Sequence, residues 1–110
     1  MKEPDYSLYL DPGYMPLLNY SRLVVLSVLY NECPDGVPYK VLKEIVRLPD
    51  GSFGPNISWL KDRNYIISKE QKFEGENTVT YIITEEGENA YLYIKKWLEK
   101  VIGIKSGGRI

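Results

Sequence analysis

The fold is decided by residues 48–64, which read Leu48-Pro49-Asp50-Gly51-Ser52-Phe53-Gly54-Pro55-Asn56-Ile57-Ser58-Trp59-Leu60-Lys61-Asp62-Arg63-Asn64. The first four residues predict a short turn, because proline, aspartate and glycine favour turn conformations. After this turn, Phe53, Ile57 and Leu60 recur at helical spacing, which predicts a helix over about 52–63 with one buried stripe. Asn64 is suited to ending that helix in the left-handed conformation.

Two further helices are predicted before this segment. The first covers about 20–32, where Asn19 or Ser21 can cap the free N–H groups of the first turn. The second covers about 38–47, with Pro38 in its first turn, where a missing N–H costs nothing. In the second helix we expect four apolar residues to face the core, and these are Val41, Leu42, Ile45 and Val46.

The hydrophobic period changes after Asn64. Residues 65–69 and 78–83 are rich in β-branched and aromatic side chains and predict two strands, joined by a charged loop over 70–77. Thr84 then caps a last helix that runs to about residue 102. We therefore predict an α+β, mostly helical fold: a winged helix-turn-helix with a three-helix core, a two-stranded β-hairpin wing and a long C-terminal helix. The predicted divisions are an N-terminal arm (1–18), the winged helix-turn-helix domain (19–84), a dimerisation helix (85–103) and a flexible tail (104–110).

Composition excludes several classes of protein. The chain has 110 residues, enough for one domain, and a formal charge of −1, which argues against a purely electrostatic polycation. It contains no histidine and one cysteine, so histidine-dependent catalysis, histidine-containing zinc sites, an intramolecular disulfide and a thiolate cluster are all excluded. Gly51-Ser52-Phe53-Gly54-Pro55 lacks the lysine of a phosphate-binding loop. We expect no enzyme, cofactor or metal, and the lack of a secretion signal or membrane span favours a cytoplasmic protein.

The order of the predicted elements points to nucleic acid. Two helices joined by a short turn and followed by a hairpin are typical of DNA-binding proteins in which the second helix lies in the major groove. Charge agrees with this placement, since residues 40–72 are the one segment with a positive excess. Its net charge is +3, from Lys40, Lys43, Arg47, Lys61, Arg63, Lys69 and Lys72 against Glu44, Asp50, Asp62 and Glu70.

Two stretches resemble the small MarR/ArsR-like winged-helix regulators. One is Leu48–Phe53 with Ile57, Leu60 and Asn64-Tyr65-Ile66; the other is Phe73 and Gly75 followed by Thr80–Gly87. The resemblance implies a regulator that binds double-stranded DNA. The chain departs from the family at Glu74-Gly75-Glu76-Asn77, where the wing is usually basic, and at Gly54, Pro55 and Trp59 in the third helix. An alternative is therefore a winged-helix module that binds protein without tight DNA binding.

The outward face of the third helix supplies the candidate DNA contacts. Asn56 is the strongest base-reading candidate, because asparagine can pair with adenine through two hydrogen bonds. Cations around the motif are expected to contact phosphates, and Trp59 either contacts a partner or packs against the hairpin. The full set of predicted DNA-binding residues is Lys40, Lys43, Arg47, Ser52, Asn56, Ser58, Trp59, Lys61, Arg63, Lys69 and Lys72.

The last helix carries more apolar residues than one small domain can cover. Ala90, Ile94, Trp97 and Val101 recur in steps of four and three, a seam that Ile104 continues and that is typical of a coiled coil. We expect this seam to pair two chains as a homodimer. The alternative is that the N-terminal arm covers it within one chain. The predicted interface consists of Ala90, Tyr91, Ile94, Trp97, Leu98, Val101 and Ile102.

Overall fold

The computed structural model describes residues 13–49 and 51–103. This part of the chain forms four α-helices and one antiparallel sheet. In chain order, the elements are a short 3-10 helix (Met15–Leu17), α1 (Tyr20–Asn31), β1 (Val37–Pro38), α2 (Tyr39–Val46), α3 (Phe53–Asp62), β2 (Ile66–Phe73), β3 (Glu76–Ile83) and α4 (Glu85–Ile102). No helix of this part is both long and apolar enough to cross a bilayer.

The helix ends follow the capping residues of the sequence. Asn19 caps α1, its Oδ1 accepting a hydrogen bond from the Arg22 backbone N–H at 3.1 Å. Thr84 caps α4 in the same way, its Oγ1 accepting from the Gly87 N–H at 2.9 Å. Asn64 has a φ of 60° just beyond α3, as predicted for a left-handed helix end. The predicted helices therefore match α1, α3 and α4 to within one or two residues.

The core lies between the helices and one face of the sheet. Its centre is α1, where Val25, Leu26 and Leu29 are fully enclosed. The buried stripe of α3 packs against this helix, as the spacing predicted. Burying a leucine or isoleucine side chain contributes about 1.5–3 kcal/mol, so this cluster accounts for most of the stabilisation of the domain.

The helix α2 buries a narrower face than predicted. Leu42 and Val46 are buried, but Val41 is only half-buried and Ile45 is exposed. Eight residues make little more than two turns, so α2 buries a narrow stripe rather than the four-residue face expected from the sequence.

The sheet has three strands rather than the predicted two. The strand β1 pairs antiparallel with β3, Val37 opposite Tyr81 and Pro38 opposite Thr80, in the order β1-β3-β2. Close approach of this strand depends on Gly36, which has a φ of 111°. A Cβ atom at this glycine would lie 2.9 Å from side-chain carbons of Thr80 and of Ile82. Two residues are too few to produce a strand pattern, which is why the sequence did not indicate β1.

The wing is longer and better paired than predicted. Residues 70–77, expected to form a loop, belong mostly to β2 and β3, which pair in unbroken register from Ile66 opposite Ile83 to Phe73 opposite Glu76. The connecting turn is only Glu74 and Gly75, with φ values of 53° and 84°. Two positive φ values in a two-residue hairpin turn match the right-handed twist of the strands.

Part of the predicted N-terminal arm belongs to the domain. Leu17 is buried in the core, and the Tyr14 ring stacks on Tyr93 of α4 with 4.6 Å between the ring centroids. Residues 13–18 therefore cover one side of α4 within the same chain. Residues 1–12 of the arm and the predicted tail, 104–110, lie outside the described residues.

Candidate nucleic-acid interface

The helix-turn-helix is formed by α2, the short connection that follows it and α3. Arg47 ends α2 in a left-handed conformation with a φ of 46°, and its backbone N–H donates to the Lys43 carbonyl. The Ser52 N–H donates to the Pro49 carbonyl at 3.0 Å, which closes the turn before α3. This arrangement holds α3 at the surface with its stripe of Phe53, Ile57 and Leu60 against the core.

The opposite side of α3 is open to solvent. Helical geometry places Pro55, Ser58 and Asp62 on that side, and all three are exposed. Lys61 and Arg63 are also exposed, at the C-terminal end of the helix. Ser52 is half-buried at the N-cap position. Among these, Ser58 is the uncharged side chain on the open face that can hydrogen-bond to a base edge.

Asn56 is not placed as expected for a base-reading residue. Its side chain is half-buried, and both ends of the amide are used within the chain. The Oδ1 atom accepts from Arg22 Nε at 3.0 Å, and Nδ2 donates to the Ser52 carbonyl at 2.8 Å. Pairing with adenine through two hydrogen bonds needs both ends of the amide, so in this arrangement Asn56 holds the domain together instead.

Trp59 lies on the same side of α3 as Asn56. The Cζ atom of Arg22 is 3.9 Å from the Trp59 ring centroid, and the Cζ atom of Arg63 is 4.7 Å away. The Tyr65 ring, just before β2, meets the indole edge-on at 6.0 Å. Trp59 therefore packs next to the hairpin, and two guanidinium groups lie over its ring. Sequence reasoning missed Arg22, because it lies in the first turn of α1, outside the positive segment 40–72.

The first turn of α2 lies beside the start of α3. Tyr39 is 40% exposed, and its ring meets Phe53 edge-on at 5.3 Å. Lys43 Nζ lies 5.9 Å from the centroid of the Tyr39 ring. Lys40, near the start of α2, and Arg47, at its C-terminal end, are also exposed. Burial, and to a lesser extent the neighbouring Tyr39, raises the pKa of the buried Tyr81. Its phenol therefore stays neutral.

The wing does not form a basic surface. Lys69 and Lys72, both predicted to contact phosphates, are an odd number of positions apart on β2 and therefore point to opposite faces of the sheet. One face of the wing cannot present both. These two lysines are outnumbered by Glu70, Glu74 and Glu76. Between α2 and the wing lies a groove of about 470 Å³, and its lining residues are Tyr39, Glu70, Asn77, Thr78, Val79 and Tyr81.

The predicted dimer seam is divided between the core and the surface. Ala90 and Ile94 are 0% and 3% exposed and pack in the core of their own chain, so they offer almost no surface to a partner. Trp97 is half-buried beside Tyr14 and Leu18. The other side of α4 forms an apolar groove with α1, about 410 Å³ in volume. Four of the predicted interface residues line it, and these are Tyr91, Ile94, Leu98 and Ile102. Tyr20, Leu23 and Val24 line it from α1, and Val101 is exposed nearby.

Cys33 lies between α1 and β1 and is half-buried. Burial, and then the adjacent Glu32 carboxylate, raises the pKa of its thiol, so the thiol stays protonated at neutral pH. A protonated thiol is a poor nucleophile, which favours a packing role for Cys33 over a reactive one.

Comparison with known proteins identifies the fold. Residues 21–102 match the family model of the winged helix DNA-binding domain. The PcaV transcriptional regulator of Streptomyces coelicolor, solved with its natural ligand, is 16% identical with a TM-score of 0.59, over 96% of this chain and 86% of that one. A SlyA-like regulator of Listeria monocytogenes is 20% identical with a TM-score of 0.61, over 84% of this chain and 59% of that one.

A MarR-like protein of Bacillus cereus, also described as a transcription regulator, is 17% identical with a TM-score of 0.58, over 81% of this chain and 65% of that one. No curated protein sequence matches the chain. Identities this low establish a common fold, while the family model covers most of the chain. The chain therefore belongs to the winged helix DNA-binding domain family and has the fold of the MarR-like proteins.

Proposed function

We propose that this chain is a cytoplasmic transcription regulator that binds a specific duplex DNA sequence as a homodimer, with α3 in the major groove. The observation that carries the proposal is the solvent-exposed side of α3, flanked by cations on both sides. Lys40, Lys43 and Arg47 lie on α2, and Lys61 and Arg63 lie at the end of α3. Cations in these positions fix the register of a recognition helix through phosphates, and Ser58 is the base-reading candidate on its open face.

Duplex binding and its salt dependence test the DNA proposal. We expect the wild-type chain to bind a labelled duplex from the DNA upstream of its own coding sequence, measured by fluorescence anisotropy from 50 to 200 mM salt. Replacing both Lys40 and Lys43 by glutamine should weaken binding and reduce the slope of log K against log salt by about 1.8, because each lost phosphate contact removes about 0.9. Lys96→Gln, an exposed lysine on α4, is the matched control and should leave the slope unchanged.

The acidic wing favours a second candidate function, a protein-binding module. The outcomes differ clearly, since such a module would show no duplex affinity even at 50 mM salt. Binding without any preference between the upstream duplex and a scrambled duplex would contradict sequence-specific recognition but not DNA binding.

The groove between α1 and α4 supports the homodimer proposal. It is almost entirely apolar, and Ile102 at its end is 61% exposed. Lys95 and Glu99 line the same groove, one turn apart on α4. A two-fold axis through antiparallel α4 helices can bring Lys95 of one copy toward Glu99 of the other, so apolar burial and opposite charges favour the same pairing.

Replacing Leu98 and Ile102 by glutamate should convert the dimer to a monomer. We expect light scattering to give twice the chain mass of 12.7 kDa for the wild type and one chain mass for the double variant, because two carboxylates cannot be buried in an apolar groove. Leu92→Glu is the control, since Leu92 is exposed on another side of α4. A monomeric wild type would contradict the proposal. Ile94 is unsuitable for this test, because a glutamate there would disrupt the core.

A further inference from the structure

The guanidinium group of Arg22 is held on three sides. Its Nε donates to Asn56 Oδ1 at 3.0 Å, its Nη1 donates to the Pro16 carbonyl at 2.6 Å, and its Cζ lies 3.9 Å from the centre of the Trp59 ring. An arginine fixed in this way has already lost most of its side-chain freedom. It can therefore bind a further group at little entropic cost.

Among the described residues, no acidic side chain contacts Arg22. All of these contacts of Arg22 are to neutral groups, and Arg63 adds a second guanidinium over the same indole, 4.7 Å from its centre. Arg22 also lies in the first turn of α1, which contains no acidic residue, although the N-terminus of a helix carries a partial positive charge. Two guanidinium groups over one indole repel each other, and a bound anion would relieve this repulsion.

We propose that Arg22 and Arg63, arranged on Trp59, form a binding site for a backbone phosphate of duplex DNA at the α1 side of α3. The inference rests on the proposed DNA binding and adds a contact from outside the helix-turn-helix. DNA is the anion in question because the site borders the exposed side of α3, so a duplex that receives this helix brings its phosphates alongside. The planar guanidinium groups present paired donors that suit phosphate oxygens.

In this arrangement, Asn56 is a positioning residue rather than a base reader. Its Oδ1 orients Arg22 Nε, and its Nδ2 is fixed to the Ser52 carbonyl one turn earlier on α3. Its amide therefore sets the position of Arg22 relative to α3 without contacting DNA. Removing the amide loosens a phosphate contact, which carries no sequence information.

Salt titrations of duplex binding test the site. Arg63→Gln removes an exposed side chain and leaves the core intact, so it is the primary variant; Arg22→Gln follows, with a thermal melt to verify folding. Each should bind every duplex more weakly and reduce the slope of log K against log salt by about 0.9, while Lys96→Gln should leave the slope unchanged. Asn56→Ala should weaken binding to the upstream and scrambled duplexes by the same factor, so that their ratio stays constant.

Trp59 gives a signal that a purely structural role would not produce. The chain has two tryptophans, so Trp97→Phe leaves Trp59 as the only indole. Adding duplex to this variant should change the Trp59 emission, and Arg63→Gln in the same background should reduce the change at saturating duplex.

The outcomes separate this inference from the proposed function. Unchanged slopes in both arginine variants, beside a wild type that binds duplex, would overturn the phosphate site alone. A fall in the ratio of upstream to scrambled affinity in Asn56→Ala would make Asn56 a base reader and overturn its positioning role. A wild type that binds no duplex would overturn the proposed function together with the site.

Discussion

Replacing Gly87 by alanine is expected to lower the free energy of unfolding by about 3 kcal/mol, although alanine usually stabilises a helix relative to glycine. Gly87 is buried in the first turn of α4. A Cβ atom there would overlap the Tyr65 carbonyl oxygen and would lie 2.9 Å from a side-chain carbon of Ile83. The Tyr65 carbonyl cannot withdraw freely, because it accepts the Thr84 N–H at 3.0 Å where the sheet joins α4.

Gly54→Ala is the matched control. Gly54 lies in the first turn of α3, is exposed, and apart from its chain neighbours and its own helix backbone has no atom within 4 Å of the position that a Cβ would take. This substitution should change the free energy of unfolding by less than about 1 kcal/mol, because the backbone entropy gained with alanine is opposed by the contact of its Cβ with Pro55. Urea denaturation of both variants measures the two effects. A Gly87→Ala chain as stable as Gly54→Ala would show that α4 can move away from Tyr65 without loss.

Replacing Glu74 and Glu76 by arginine is expected to tighten binding to any duplex by about tenfold at 0.1 M salt and to steepen the salt dependence by up to about 1.8. The wing now carries two lysines and three glutamates; the variant would carry four cations and one acid. Both positions are exposed, and residue 74, which has a φ of 53°, is a non-glycine residue in both chains and also unbranched at Cβ in both. Sequence preference should not change, because phosphate contacts do not read bases.

A control with the same charge change distinguishes the wing from the overall charge. Glu32 and Asp35 are exposed in the connection between α1 and β1, away from the turn of the hairpin. Replacing both by arginine changes the net charge equally and should tighten binding much less. Equal gains in the two double variants would show that the wing does not approach the DNA backbone.

The helices could be predicted closely because their determinants are local. The spacing of Phe53, Ile57 and Leu60 depends only on the helical period, and Asn19 and Thr84 cap helices through residues three positions away. Each of these patterns lies within a short stretch of the sequence and can be recognised without knowledge of distant residues. The winged helix-turn-helix architecture followed from the order of these elements, and the family model and solved structures agree with it.

The wing and β1 could not be predicted so well, because strands depend on distant partners. Residues 70–77 are polar and charged, as a loop is, yet β2 and β3 pair there through backbone groups that do not depend on side-chain polarity. Gly75 alone indicated a tight turn at this place. A two-residue turn of this type needs a positive φ at both positions, and glutamate rarely adopts one, so Glu74 did not indicate the turn.

The exposure of the candidate site residues could be predicted from the sequence, whereas their contacts could not. The exposure of Lys40, Lys43 and Ser58 follows from helical period, whereas the role of Asn56 depends on Arg22, which is 34 residues away in the chain. The burial of part of the α4 seam could not be predicted for a related reason. Ala90 and Ile94 have the spacing of a coiled coil, but that spacing also suits a helix packed on its own core.

The strand order β1-β3-β2 leaves β2 at the edge of the sheet over its full eight residues. An open edge offers unpaired N–H and C=O groups to any strand of another molecule and so invites aggregation. Apolar residues stand near both ends of β2, at Ile67 and Phe73, and both are exposed. Between them lie Lys69, Glu70 and Lys72, and pairing a second copy of this strand in parallel register would place each of these charges beside its like. These charges, which make a weak phosphate-binding surface, thus give the wing protection against self-assembly into extended sheets.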